Sequence, residues 1–205
     1  MDDMIIIDVT NYLINKYDCH SIILYGSYVT GDFTDESDLD VICFTDEVSN
    51  QNDNHMLNNV QLDAWIYNTN EMNDPEKFLH IRNGKLILDQ RDSGKLLLER
   101  IDQIYNKGPV KTDLLEIEFL KKWLIKMQNR SIKGDIEGDF RYHWLLNDSL
   151  EIYFKIINKW YFGPKKSLQW LKTNDPKAYE LFSKALKRSA KNKDVEILIK
   201  HITES

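Results

Sequence analysis

Apolar residues recur at helical spacing through Ile5, Ile6, Val9, Tyr12, Leu13 and Ile14, then close up into an uninterrupted run over 22–24 that stops at Gly26. The first pattern predicts an amphipathic helix over residues 4–16 and the second a buried strand. The stretch SDLDVICF, 37–44, predicts a second strand. A third, NNVQLDAWIYN over 58–68, places Val60, Leu62, Ala64 and Ile66 on one face and Gln61, Asp63, Trp65 and Tyr67 on the other. The polar segment TDEVSNQNDNH between these strands reads as a hairpin-like loop. Further on, NDPEKFLHI has the cap, proline and early glutamate of a helix start, GKLILD reads as a fourth strand, and Ser93 can cap a helix over 94–107.

Beyond KGPVKTD the period changes. Long segments near 111–129, 136–161, 166–172, 176–187 and 194–203 carry helical spacing, and no strand pattern recurs. The expected fold class is therefore α+β: a mixed sheet with helices over 1–107, then an all-α helical bundle over 108–205.

Composition changes this picture only slightly. With 42% hydrophobic and 29% charged residues in 205, the chain has enough apolar material for a real core in one or two domains. No stretch is apolar for the length of a membrane span, and the opening lacks a basic start and small-residue cleavage site. A cytoplasmic location is the expectation. Cys19 and Cys43 stand apart without metal-ligand spacing and read as buried thiols.

Charge is divided unevenly. Residues 1–107 hold 8 Lys/Arg and 20 Asp/Glu, net −12, whereas 108–205 hold 19 and 13, net +6. An acidic half suits a cation and a basic half an anion, although two solvated faces of opposite sign would look the same. Without a basic stripe interleaved with aromatics in the first half, polymerisation on nucleic acid is disfavoured.

The costly charges are Asp38 and Asp40, which open an apolar strand. Residues two apart in a strand share a face, so both carboxylates can approach one hard cation, which would compensate their repulsion. Asp63, on the polar face of the next strand, could join them. Gly26 and Ser27 end the first strand, where amide N–H groups and a hydroxyl can receive phosphate oxygens, and Gly31 lets the chain turn again. Singly, each of these features is commonplace.

As an ordered set they are specific. The string GSYVTGDFTDESDLDVICF, followed by the lone carboxylate of VQLDAWIY, resembles the signature of the DNA polymerase β-like nucleotidyltransferase superfamily at Gly26, Ser27, Gly31, Ser37, Asp38, Asp40 and Asp63. The resemblance spans roughly residues 5–90. It implies that Asp38, Asp40 and Asp63 are catalytic metal ligands for two Mg2+ ions, and that Gly26, Ser27 and Ser37 bind the nucleotide. The implied reaction moves a nucleoside monophosphate, AMP from ATP by family frequency, to a hydroxyl of a small-molecule acceptor such as an antibiotic.

In antibiotic nucleotidyltransferases a helix of the second domain supplies a carboxylate base and a lysine for the triphosphate. Glu151 and Lys155 look like that pair, with Asp148 as the competing base. The plain alternative is an i,i+4 ion pair, with Arg141 and Asp148 paired two turns apart. Trp144, Trp160 and Trp170 read as core more than as stacking platforms, and His143 as a packed residue. Two other functions fit the same motif: nucleotidylation of a partner protein, as in toxin–antitoxin nucleotidyltransferases, and a non-catalytic nucleotide sensor. The resemblance also admits a homodimer.

Overall fold

Strand alternation sorts the first half of the chain onto two faces of one sheet. The computed structural model describes residues 3–47 and 50–205, so Val48 and Ser49 in the polar connection, and Met1 and Asp2 at the opening, lie outside the described residues. The chain divides into two compact units, Met1–Lys107 and Gly108–Ser205.

In the first unit, helix α1 (Asp3–Tyr17) is followed by strand β1 (Ser21–Leu24), the short helix α2 (Ser27–Thr30), and strands β2 (Leu39–Thr45), β3 (Gln51–Leu57) and β4 (Val60–Asn68). Two 3-10 segments, Thr69–Asn73 and Pro75–Ile81, lead to β5 (Lys85–Asp89) and helix α3 (Ser93–Lys107). The strands lie in the order β3-β4-β2-β1-β5, with β2 and β4 parallel and the other pairs antiparallel. Leu39, Val41 and Cys43 of β2 and Leu62, Ala64 and Ile66 of β4 share one core with Val9 and Leu13 of α1. Their alternates point the other way, where Phe44 meets Phe78 of the second 3-10 segment edge to face at 5.4 Å.

Three local readings of the sequence are corrected here. Residues 51–57 are a strand, not a loop: β3 pairs with β4 through a tight turn at Asn58 and Asn59, both at positive φ (50° and 67°). That left-handed pair is the turn that matches strand twist, and asparagine tolerates it. The segment after Asp74 winds as a 3-10 turn instead of an α-helix. The cap of α3 is Asp89, which accepts from the amides of Gly94 (3.2 Å) and Lys95 (2.9 Å), while the Ser93 hydroxyl bonds Ser21 at 3.0 Å.

One partly buried ion cluster ties α1 to the sheet. Tyr12, Tyr17 and Lys16 all donate to Asp53 Oδ2, at 2.7, 2.8 and 3.0 Å, and His55 Nδ1 stands 3.0 Å from the other oxygen. Burial pushes this carboxyl up, but the three donors outweigh it and hold the pKa at about 2.

The second unit is helical throughout: α4 (Leu114–Ser131), α5 (Ile136–Ile156), α6 (Gly163–Asn174), α7 (Pro176–Ala185) and α8 (Asn192–Glu204). Asp113, Asp135 and Asp175 cap α4, α5 and α7 by accepting first-turn amides. Helix α5 is the centre of the core, burying Leu145, Leu146, Leu150, Tyr153 and Phe154. It stops at Ile156, five residues earlier than its apolar pattern, and Asn158 just beyond it enters the left-handed region (φ 53°). Among the described residues no helix is long and apolar enough to cross a membrane. Cys19 and Cys43 are buried free thiols.

Candidate active site

Asp40 and Asp63 are directly opposite each other in the parallel pairing of β2 with β4. Both belong to the face away from α1, because their neighbours Leu39, Val41, Leu62 and Ala64 fill the α1 core. Adjacent strands lie about 5 Å apart, so the register alone sets two carboxylates side by side. Like charges placed so are unfavourable unless something positive lies between them. Asp63 Oδ1 accepts from Asn52 Nδ2 at 2.6 Å, and among the described residues no lysine or arginine is paired with Asp63.

The third sequence candidate, Asp38, sits one residue ahead of β2 and is exposed. Among the described residues no three Asp, Glu, His or Cys side chains converge on one point as a metal cluster would require. The structure therefore brings Asp40 and Asp63 together and leaves Asp38 at the rim, where the strand alternation that would align it with Asp40 has not yet begun.

Gly26 explains itself sterically. It has φ 72°, in the left-handed region, and a Cβ built there would stand 2.9 Å from the Asp40 carboxyl carbon and closer still to Oδ2. Only glycine leaves room for that carboxylate. The Tyr25 amide also donates to the Asp40 carbonyl at 3.0 Å, so the end of β1 and the start of β2 are fixed against each other. Ser27 then opens α2. Its hydroxyl has no partner among the described residues, and the first amides of a helix have no acceptor within it. Gly31 closes α2 in the left-handed conformation (φ 81°), donating to the Ser27 carbonyl at 2.9 Å.

Ser37 has a local task. Its hydroxyl accepts from the Thr34 amide at 2.9 Å and its amide donates back to the Thr34 carbonyl at 3.0 Å, closing the turn that delivers the chain into β2. Tyr28 and Phe33 stack at 4.7 Å and 9°, folding the same loop back on α2.

Two residues near the carboxylates escaped the sequence reading. Burial pushes the Tyr25 phenol well above its usual range, and the negative charges of Asp40 and Asp63 push it further. Its ring meets His80 edge to face at 5.5 Å. The position before a Gly-Ser turn was the available signal. Asn52 gave none, because its contact with Asp63 depends on the unrecognised β3.

The helical candidates belong to the second unit. Glu151 and Lys155 are exposed on α5 and face each other at 3.6 Å. Asp148 is more engaged: Trp144 Nε1 donates to its Oδ2 at 2.7 Å and Asn147 to its Oδ1 at 2.9 Å. Arg141 pairs with Glu137 at 2.5 Å, not with Asp148. Burial raises the Tyr161 phenol, helped by the nearby charges of Glu151 and Asp148. Trp144 is partly exposed and packs edge to face on Trp123 at 5.8 Å, while His143 is exposed beside Tyr142 instead of packed inside.

A mixed sheet with a glycine-serine turn against paired strand carboxylates is the arrangement that the resemblance to nucleotidyltransferases implied. The sequence profile of the nucleotidyltransferase domain matches residues 11–143, and the chain belongs to that family. Among solved structures, a nucleotidyltransferase-like protein from Exiguobacterium sibiricum 255-15 is similar at 14% identity and a TM-score of 0.45, over 95% of this chain and 71% of that one. No curated protein matches the sequence.

Proposed function

We propose that the protein transfers a nucleoside monophosphate, AMP from ATP, to a hydroxyl of a small-molecule acceptor, with Mg2+ as the metal. The observation that carries this reading is the Asp40–Asp63 pair in parallel register with Gly26 packed against it. An all-carboxylate donor set on neighbouring strands suits a hard divalent cation, so Asp40 and Asp63 would hold it, with Asp38 contributing from the rim. Bound there, Mg2+ supplies charge neutralisation for the phosphates and acidifies the attacking hydroxyl.

The protein's own residues do the rest. Ser27 and the open amides of α2 hold phosphate oxygens, which orients the triphosphate with its pyrophosphate end toward α2. The acceptor oxygen forms a bond to the α-phosphorus, the bond from that phosphorus to the bridging oxygen breaks, and pyrophosphate leaves with the electron pair. The hydroxyl proton goes to a carboxylate base. Glu151 suits this better than Asp148, because both Asp148 oxygens already accept hydrogen bonds whereas Glu151 has only an exposed lysine at 3.6 Å. Lys155 would then turn from Glu151 to the triphosphate.

The antibiotic class of acceptor is supported by the Glu151–Lys155 spacing and by the acidic first half, which attracts cationic compounds. The test is pyrophosphate release on incubation with Mg2+, each nucleoside triphosphate and a panel of small alcohols and aminoglycosides. Glu151→Gln should lower turnover by about 10^2-fold or more while leaving ATP affinity nearly intact. Label appearing on a co-purifying protein, or tight nucleotide binding without turnover, would overturn the small-acceptor reading.

A further inference from the structure

The sheet face that carries Asp40 and Asp63 does not end with them. In the register of β3 with β4, Asn54 lies opposite Asp63 and Asn52 opposite Trp65, so these side chains share the carboxylates' face. Trp65 is two residues beyond Asp63, about 7 Å along the strand. The residue is 40% exposed, and its indole N–H has no partner among the described residues. Tyr67 braces it from behind, with ring centroids 6.3 Å apart at 25°. Asn52, Asn54 and Met56 on the same face are exposed, and Gln61 donates to Asn54 at 2.5 Å, which fixes the amide row beside the indole.

Position decides which substrate this surface meets. The strand order β3-β4-β2-β1 puts Gly26 on one side of Asp40 and the β4–β3 hairpin on the other. In-line displacement requires the attacking group to approach the phosphorus from the side opposite the leaving pyrophosphate. With phosphates at Gly26 and Ser27, the acceptor must come over Asp63 and Trp65.

We infer that Trp65, with the amides of Asn52 and Asn54, is the acceptor platform, and that the acceptor is a polyhydroxylated ring. A flat, partly exposed indole offers a ring-sized apolar surface. With Asn52 Nδ2 already donating to Asp63 and the Ala64 carbonyl and Asn54 Oδ1 accepting from Gln61, the flanking amides offer the Asn54 N–H donors and the Asn52 carbonyl oxygen to hydroxyls, which a purely aromatic acceptor would leave unpaired. An amine on the ring adds attraction to a unit of net charge −12. This inference rests on the nucleotidyl-transfer reading for its choice of acceptor over nucleotide.

The test measures binding separately from turnover. Saturation-transfer NMR is recorded on the full chain with methyl glucoside, its 2-amino counterpart and myo-inositol, alongside ATP with Mg2+. The expected result is contact through ring C–H protons, tighter for the amino sugar at low salt. Trp65→Ala should weaken it about tenfold, whereas Trp65→Tyr keeps it within a fewfold and ATP affinity is unchanged in both. Circular dichroism of each variant confirms the fold, and Trp65→Tyr preserves an aromatic surface if Trp65→Ala fails to fold. Absence of binding by all three rings, or equal loss of ATP affinity in Trp65→Ala, would overturn the platform. Ring binding that depends on Trp65 without transfer supports the platform and sinks the proposed function; transfer to a ring that is indifferent to Trp65 does the reverse.

Discussion

Asp40 and Asp63 stand together because two strands pair in parallel register, whereas Glu151 and Lys155 stand together because a helix brings every fourth residue to one face. The first juxtaposition opposes like charges across 23 residues of chain. The second matches opposite charges one turn apart. Several charged residues on the helices of the second unit are answered locally, as Glu137 answers Arg141 and Glu180 answers Lys184. In the first unit the carboxylates of the open sheet face are brought together by tertiary structure and repel each other. Local pairing requires nothing beyond the helix, whereas the sheet pair depends on the register of β2 with β4, and under the proposed function that pair is where the metal would be held.

The sharpest way to break this contrast is to neutralise one of the paired carboxylates. Asp40→Asn should abolish transfer, by at least about a hundredfold, in a protein whose circular dichroism and melting temperature show that it still folds. A variant that lost stability in step with activity would show that Asp40 is a structural residue. Gly26→Ala should come next in size. It forces a Cβ into the Asp40 carboxylate at a positive φ, costing about 2 kcal/mol in urea unfolding as well as activity.

Much of this was legible in the sequence, and the reasons differ by unit. Period-two alternation in VQLDAWIY put Asp63 opposite the Leu62–Ala64–Ile66 row, and the structure keeps that face. The helices of the second unit followed from apolar spacing, with ends off by a few residues where Asn158 enters the left-handed region. Strand β3 was not legible, because Asn52, Asp53, Asn54 and His55 are poor strand formers individually. They are held by partners distant in sequence, Asp53 by the tyrosines and lysine of α1 and Asn52 by Asp63. Missing β3 hid both Asn52 and the exposed face beside Trp65. Asp89 was hidden as a cap for a related reason: it reaches past the turn to amides five and six residues on.

A smaller effect tests the other kind of charge in the first unit, the partly buried and compensated one. Asp53 is held at about 2 by Tyr12, Tyr17 and Lys16, below its ordinary value of 3.8. A carboxyl whose folded pKa is depressed stabilises the fold fully above its unfolded value and loses that contribution as pH falls toward the folded one. Stability should therefore be level in this respect above about pH 5 and drop by about 2 kcal/mol between pH 4 and 2. Asp53→Asn should remove that part of the acid dependence and lower stability at pH 7 by a similar amount, measured by urea unfolding at the two pH values. An unchanged acid profile would mean that the cluster does not hold Asp53 ionised.

The smallest structural effect, and the one that separates local pairing from function, is Lys155→Met. The pair it breaks is half exposed at 3.6 Å, and such pairs contribute about 0.5 kcal/mol or less. The methionine also keeps the apolar stem and helix propensity. The melting temperature should therefore barely move, and salt should barely change the difference. If Lys155 serves only Glu151, catalysis should be equally indifferent to its loss. Under the proposed function the lysine answers the triphosphate, so KM for ATP should rise severalfold in a protein of unaltered stability, with a smaller change in the acceptor KM. An unchanged ATP KM would return the Glu151–Lys155 pair to the surface of α5.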